Sequence, residues 1–146
     1  MINPVRCATV LYTSGTAADP DRKHLFVLLT DPSGPAQHVL MAPVCSVDPD
    51  PKAFRDDTCL LAAGDHPFIK HDSYIAYAKC RVVAASDLVK HTESGYVIEK
   101  KPASDALVAR IVAGLRKSKF TKPFARDFYQ DYEQSLRQPP RPRNRN

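Results

Sequence analysis

The hydrophobic pattern of the chain changes near residue 104, and this change limits the folds open to it. Before that point, short apolar runs of strand length alternate with turn residues. Closely spaced short strands favour a small barrel or a strongly bent sheet. After it, Leu107, Ile111 and Leu115 recur every four residues, which indicates helix. The sequence therefore predicts a mainly β fold, a small barrel followed by two α-helices.

Strands are predicted at 7–12, 24–30, 38–47, 59–63, 73–83 and 96–98. The turn residues at 31–35 predict that the second and third strands form a hairpin. Pro43 cannot donate to a ladder, so it predicts an edge or a bulge in the third strand. The run at 73–83 is expected to form either one long strand or a kinked pair of strands. Residues 86–90 are expected to form a single helical turn.

Ser104 is a candidate N-cap for the first helix, and Pro123 suits the first turn of the second. Aromatic and apolar residues then repeat every four positions (Phe124, Phe128, Tyr132 and Leu136), a stripe more typical of core than of a base-stacking platform. Residues 1–137 are expected to form one domain. Residues 138–146 contain no apolar side chain and are expected to be a disordered basic tail.

The chain has 146 residues and a formal net charge of +5. Residues 1–100 carry a net charge of −2 and residues 101–146 carry +7. A basic C-terminal end suits an anionic partner such as nucleic acid, although solvated helix faces give the same pattern. No apolar run has the roughly 20 residues that a membrane span needs. No basic-then-apolar leader is recognised, so a cytoplasmic protein is expected.

The four cysteines lie in or beside apolar runs, at Cys7, Cys45, Cys59 and Cys80. No pair has CxxC spacing, so buried thiols are expected rather than a disulfide framework. Cys59 and Cys80 together with His66 and His71 match no standard zinc spacing, and no metal site is predicted.

The densest polar cluster lies between two predicted strands at 64–73, where His66, Lys70, His71 and Ser73 fall within ten residues. Imidazoles can serve as acid and base near neutral pH, and an ammonium can hold a phosphate. The same stretch can also be a purely structural loop, because its Asp residues can close Asx turns.

Two smaller features accompany that cluster. Arg22, Lys23 and His24 precede an apolar strand, where basic groups can meet a phosphodiester. Ser46 ends the third strand, and a hydroxyl there can donate to a phosphate oxygen in a transition state. No GxGxxG, P-loop or GxSxG pattern is present in the sequence.

The order of features resembles the MazF/PemK toxins of type II toxin–antitoxin systems. A strand, a Gly-containing loop, basic residues, an apolar strand and a turn are followed by a strand that ends in Pro-x-x-Ser. After it comes Ser-Tyr-Ile-Ala-Tyr-Ala-Lys-Cys-Arg-Val-Val-Ala-Ala-Ser-Asp-Leu at 73–88. The resemblance covers about residues 7–90 and is one of pattern rather than of an invariant motif. It implies an SH3-like barrel, a homodimer, a cognate antitoxin, and metal-independent cleavage of single-stranded RNA by attack of the 2′-hydroxyl on the phosphate, with no cofactor.

Carried over by position, the family's basic catalytic residue falls near Lys23, where an Arg followed by Pro is usual. A lysine does not supply the bidentate fork of arginine, so Arg22 or His24 would substitute. The hydroxyl position falls at Ser46. The predicted catalytic residues are Arg22, Lys23, His24 and Ser46, and the predicted substrate-binding residues are His66, Lys70, His71, Ser73 and Arg81.

The alternative reading is a non-catalytic barrel module that binds nucleic acid or a protein partner. The departure from Arg-Pro and the basic C-terminal end favour it, and it predicts salt-dependent binding without cleavage. A structural or phage-associated protein with no nucleic-acid role is a third reading.

Overall fold

The structure, a computed structural model, describes residues 2–13 and 23–137. Arg22 and the predicted tail lie outside the described residues. The strands are β1 (Thr9–Thr13), β2 (Lys23–Leu28), β3 (His38–Ser46), β4 (Leu60–Leu61), β5 (Ser73–Ile75), β6 (Arg81–Ala84) and β7 (Ile98–Lys100). The helices are α1 (Ala85–Glu93), α2 (Asp105–Lys117) and α3 (Pro123–Arg137).

The seven strands among the described residues pair antiparallel in one sheet; six follow the order β4-β5-β3-β2-β1-β7, and β6 lies off this path and pairs with β3. The nine-residue β3 lies at its centre and carries β2 along one side and both β5 and β6 along the other. The predicted hairpin of β2 and β3 is confirmed, with Leu25 opposite Val44 and Leu28 opposite Met41. The central position of β3 brings its last residue, Ser46, beside Ser73 of β5.

Pro43 coincides with an interruption of the neighbouring strand. A 3-10 turn at Tyr77–Lys79 separates β5, which pairs with Val44, from β6, which pairs with Met41. The Ala76 N–H donates to the Pro43 carbonyl at 3.2 Å. Because Pro43 has no N–H to return, the partner strand bends away at this point. Of the two alternatives for 73–83, one long strand or a kinked pair, the structure has the kinked pair.

The central strands are buried on both faces, since alternate residues of a strand point to opposite sides. Leu25, Val27 and Leu40 lie in a core that includes apolar residues of α2 and α3. Phe26 and Met41 lie in a second core on the other face, closed by α1. The sheet is therefore held between helices, and its polar end is left for solvent at the end of β3.

The sequence signals for the first residues of the two predicted helices, α2 and α3, are confirmed. The Leu107 N–H donates to the Ser104 hydroxyl at 3.1 Å, and Pro123 is the first residue of α3. The predicted core stripe of α3 is wrong in part, because Phe124 and Leu136 are exposed while Tyr129 is buried. Residues four apart advance about 40° around a helix beyond a full turn, so a strict four-residue repeat spirals away from the core.

The coarse expectation of a mainly β fold with C-terminal helices is confirmed, with two differences. A third helix is present, because the single turn predicted at 86–90 is the nine-residue α1. Among the described strands, no ladder joins the two ends of the sheet, β4 and β7, so the sheet is open. None of the helices in the described ranges is long and apolar enough to cross a membrane.

The four cysteines are free thiols; Cys45, Cys59 and Cys80 are buried as expected, whereas Cys7 is half-buried. Burial raises the pKa of Cys80 to about 12 and also raises the pKa of Cys59. Protonated, buried thiols are poor nucleophiles and poor metal ligands, so these side chains act as small apolar groups.

Candidate functional site

A pocket of about 390 Å³ opens where β2 and β3 meet the loop at 64–73. We call it the site pocket. Five residues predicted from the sequence line it together with the ring of Phe68: His24, Ser46, Lys70, His71 and Ser73. These residues come from parts of the chain far apart in sequence, and strand pairing brings them together. The pocket thus combines two imidazoles, an ammonium, two hydroxyls and an aromatic ring.

The pairing of β3 with β5 fixes the floor of the site pocket. Ser46 lies opposite Ser73, and the Val47 N–H donates to the Asp72 carbonyl at 2.9 Å. The Ser73 hydroxyl donates to the His71 carbonyl at 2.9 Å, and Ser73 is only 4% exposed. Ser73 therefore sets the shape of the loop, whereas Ser46 is exposed and can meet a ligand.

His24 lies near the start of β2 and is half-buried. Its Nδ1 is 3.4 Å from the Val44 carbonyl and 4.0 Å from the Cys45 sulfur. A carbonyl only accepts hydrogen bonds, so this contact favours the tautomer with the proton on Nδ1. In the neutral ring, Nε2 then keeps its lone pair, as a general base requires.

Lys70 and His71 lie in a loop that is anchored by the preceding residue, Ile69. Ile69 is buried in the core shared with α2 and α3. Its N–H donates to the His66 carbonyl, and its own carbonyl accepts from the Gly64 N–H at 2.9 Å. Because Ile69 points inward, Lys70 and His71 remain exposed at the pocket. Among the described residues, neither forms a salt bridge.

His66 was predicted to bind substrate, but the structure gives it another position. Its side chain is 3% exposed and does not line the site pocket. The Phe68 N–H donates to Nδ1 at 3.0 Å, so Nε2–H donates to the Lys101 carbonyl at 2.6 Å. With both nitrogens engaged, His66 ties the loop to the segment before α2 and is not available to a ligand.

Of the remaining predicted residues, Arg81 is not part of the site pocket. Arg81, on β6, has its guanidinium carbon 5.2 Å from the ring centroids of both Tyr12 and Phe26. It lines a neighbouring groove that shares His24 and Ser46 with the site pocket. Lys23 begins β2 and its backbone pairs with Thr13.

Phe68 is a pocket residue that the sequence reasoning did not identify. Its ring is 42% exposed, and the Lys100 ammonium lies 5.7 Å from the ring centroid. An exposed phenyl ring beside cations can stack on a nucleobase. The sequence contains one signal for this role. Phe68 lies in a polar loop next to Ile69, and an isoleucine at that place is expected to be the residue that is buried in the core.

Within residues 2–13 and 23–137 there is no group of three or more His, Cys, Asp or Glu side chains that could hold a metal ion. The site pocket by itself has the groups for acid–base chemistry on an anionic substrate. No protein-family profile, curated protein or solved structure matches this chain.

Proposed function

We propose that this protein is an endoribonuclease of the MazF/PemK kind, which cleaves single-stranded RNA by attack of a 2′-hydroxyl on the adjacent phosphate. One observation carries the proposal: the site pocket joins His24 and Ser46 to Lys70 and His71, beside the exposed ring of Phe68. The cation and the hydroxyl can bind a phosphate, the imidazoles can transfer protons, and the aromatic ring can stack on an unpaired base.

The reaction needs two proton transfers and a centre of positive charge. His24 Nε2 takes the proton of the 2′-hydroxyl while that oxygen forms a bond to phosphorus. His71, in its imidazolium form, gives a proton to the departing 5′-oxygen as the P–O5′ bond breaks. Lys70 and the Ser46 hydroxyl stabilise the charge that develops on the phosphoryl oxygens. The products are a 2′,3′-cyclic phosphate and a 5′-hydroxyl end.

The resemblance to the toxin family extends the proposal to architecture and partners. An SH3-like barrel, a homodimer and a cognate antitoxin belong to it, as does a cytoplasmic location. What supports the barrel is the single antiparallel sheet of short strands built around β3, which pairs with β2, β5 and β6. Residues Arg22 and Lys23 remain candidates for further phosphate contacts.

The test is cleavage of single-stranded RNA in excess EDTA by the wild-type protein and two histidine variants. His71→Ala should lower the cleavage rate about 10²- to 10⁴-fold, the usual contribution of a general acid or base. His38→Ala is the matched control, because His38 begins β3 at the end opposite Ser46. It should keep the wild-type rate. Equal rates for all three proteins would refute the assigned site.

The non-catalytic alternative predicts a different result in the same experiment. RNA would stay intact with folded wild-type protein, while a labelled oligonucleotide would bind with an affinity that falls as salt rises. The acid–base groups of the site pocket favour cleavage over binding alone, since binding requires only Lys70 and an aromatic ring.

A further inference from the structure

A second groove, of about 670 Å³, adjoins the site pocket and shares His24 and Ser46 with it. We call it the flanking groove. Its far side is formed by the segment that leads into α3, which supplies Lys122 and Phe124, and by Phe54 from the loop after β3. The proposed reaction uses neither this groove nor these side chains.

The flanking groove is strongly positive for its size. Lys79, Arg81 and Lys122 line it, and Asp48 is the only carboxylate among the lining residues that the structure describes. In the described ranges, none of the three cations forms a salt bridge. Uncompensated cations along a groove favour a polyanion as the occupant.

Exposed aromatic rings accompany these cations. Phe54 is 60% and Phe124 48% exposed, although phenylalanine is usually buried. The Phe54 ring packs edge-on against Phe120, with centroids 5.1 Å apart, so it is held in place. Exposed rings beside cations are the pattern with which proteins bind unpaired nucleotides.

We propose that the flanking groove binds the nucleotides of single-stranded RNA next to the one held in the site pocket. This inference rests on the proposed ribonuclease function, because the shared residues His24 and Ser46 place the scissile phosphate at the junction of the two cavities. Bases stack on Phe54 and Phe124, and Lys79 and Lys122 contact the phosphates. The guanidinium of Arg81, held by two rings, contacts a third phosphate at the junction.

The test compares two double variants on a labelled, randomised octaribonucleotide with 2′-O-methyl groups, which binds but cannot be cleaved. The groove variant is Lys122→Ala/Phe124→Ala. The control is Lys90→Ala/Leu136→Ala, which removes one exposed lysine and one exposed apolar side chain that do not line the flanking groove. Fluorescence anisotropy gives the dissociation constants, and thermal melting by circular dichroism shows that both variants are folded.

We expect the groove variant to bind about tenfold or more weakly than the wild type, and the control to bind as the wild type does. The slope of log affinity against log salt should fall by about 0.7 in the groove variant, for one lost phosphate contact. Phe54→Ala, which removes the other exposed ring of the groove, should also weaken binding.

The outcomes separate this inference from the ribonuclease proposal. Equal binding by the groove variant and the wild type overturns the inference, even where unmodified RNA is cleaved, and would leave the groove for a protein partner. Weaker binding by the groove variant, with no cleavage of unmodified RNA by the wild type, supports the groove and refutes the catalytic proposal.

Discussion

His66 and His71 lie five residues apart in the loop that follows β4, and their surroundings differ. His66 is buried and has a backbone partner at each ring nitrogen. His71 is exposed at the site pocket. The sequence shows two histidines in one polar stretch and does not indicate which of them is buried. The burial of His66 depends on its contact with the segment at Lys101, which is distant in the sequence.

The two histidines should therefore respond differently to substitution. His66→Ala leaves the Phe68 N–H without its partner and the Lys101 carbonyl with only the Thr9 hydroxyl, which should lower the free energy of unfolding by about 1–3 kcal/mol. His71→Ala removes an exposed side chain and should change it by less than about 0.5 kcal/mol. Urea denaturation measures both. A larger loss of stability for His71→Ala than for His66→Ala would contradict these assignments.

Asp65 stabilises the turn that begins the same loop, in a pH-dependent way. Its Oδ2 accepts from the Ala62 N–H at 2.9 Å and lies 3.3 Å from the Arg110 guanidinium. The backbone hydrogen bond and then the arginine lower the pKa of this carboxyl below its ordinary value. A lowered pKa in the folded state means that the ionised carboxylate stabilises the fold.

Asp65→Asn should accordingly reduce stability at neutral pH and not at acid pH. The loss at pH 7 should be below about 1 kcal/mol, as for partly exposed ion pairs. It should be constant above the ordinary aspartate pKa of about 3.9 and disappear as the pH falls through the lower folded-state value. Unfolding measured across pH 2–7 checks this, and a difference that grows toward acid pH would contradict it.

Helix α2 is fitted closely to the 3-10 turn between β5 and β6 at Gly114. The Tyr77 hydroxyl donates to the Ile111 carbonyl at 2.6 Å and occupies the space that a side chain at Gly114 would need. A Cβ at Gly114 would overlap that hydroxyl and lie 2.8 Å from Tyr77 Cζ. The glycine is thus required by a close approach, not by its backbone conformation.

Gly114→Ala should destabilise the protein by about 1–3 kcal/mol through overpacking. In an unobstructed helix, the same change would stabilise by about 1 kcal/mol. The sign of the change therefore tests the contact. In a Tyr77→Phe background the penalty should shrink but remain, because the ring carbon is still too close. A stabilising effect in the wild-type background would show that α2 does not pack against Tyr77 in this way.

At the scale of elements, the sequence predicted correctly those features that depend on residues close together in the chain. The hairpin of β2 and β3, the cap at Ser104 and the start of α3 at Pro123 follow from residues a few positions apart. The length of α1 and the exposed side of α3 do not, because they depend on which surface of the sheet each helix covers. The five apolar residues predicted at 59–63 give only the two-residue β4, since β5 is short at that edge.

At the scale of the whole molecule, the candidate site was predictable as a set of residue types but not as a geometry. His24, Ser46, Lys70, His71 and Ser73 were identified from the sequence, and the structure gathers them because β3 pairs with both β2 and β5. The exclusion of His66 has no local signal, because it depends on a contact with the Lys101 carbonyl far along the chain.

At the same scale, the charge distribution along the sequence can be related to the two cavities. The basic C-terminal part, with a net charge of +7 over residues 101–146, contributes Lys122 to the flanking groove beside the site pocket. The proposed chemistry lies in the slightly acidic part of the chain. Catalysis is thus assigned to the first part of the sequence, whereas both parts supply cations to the flanking groove: Lys79 and Arg81 from the first and Lys122 from the second.

The most direct test of the central claim is mass spectrometry of the ends formed when single-stranded RNA is incubated with the protein in EDTA. Attack by the 2′-hydroxyl predicts a 2′,3′-cyclic phosphate, or the 3′-phosphate formed from it, together with a 5′-hydroxyl. A single 2′-deoxy nucleotide at the cleaved position should abolish that cut. Intact RNA with folded protein, or fragments that carry 5′-phosphate and 3′-hydroxyl ends, would contradict the account.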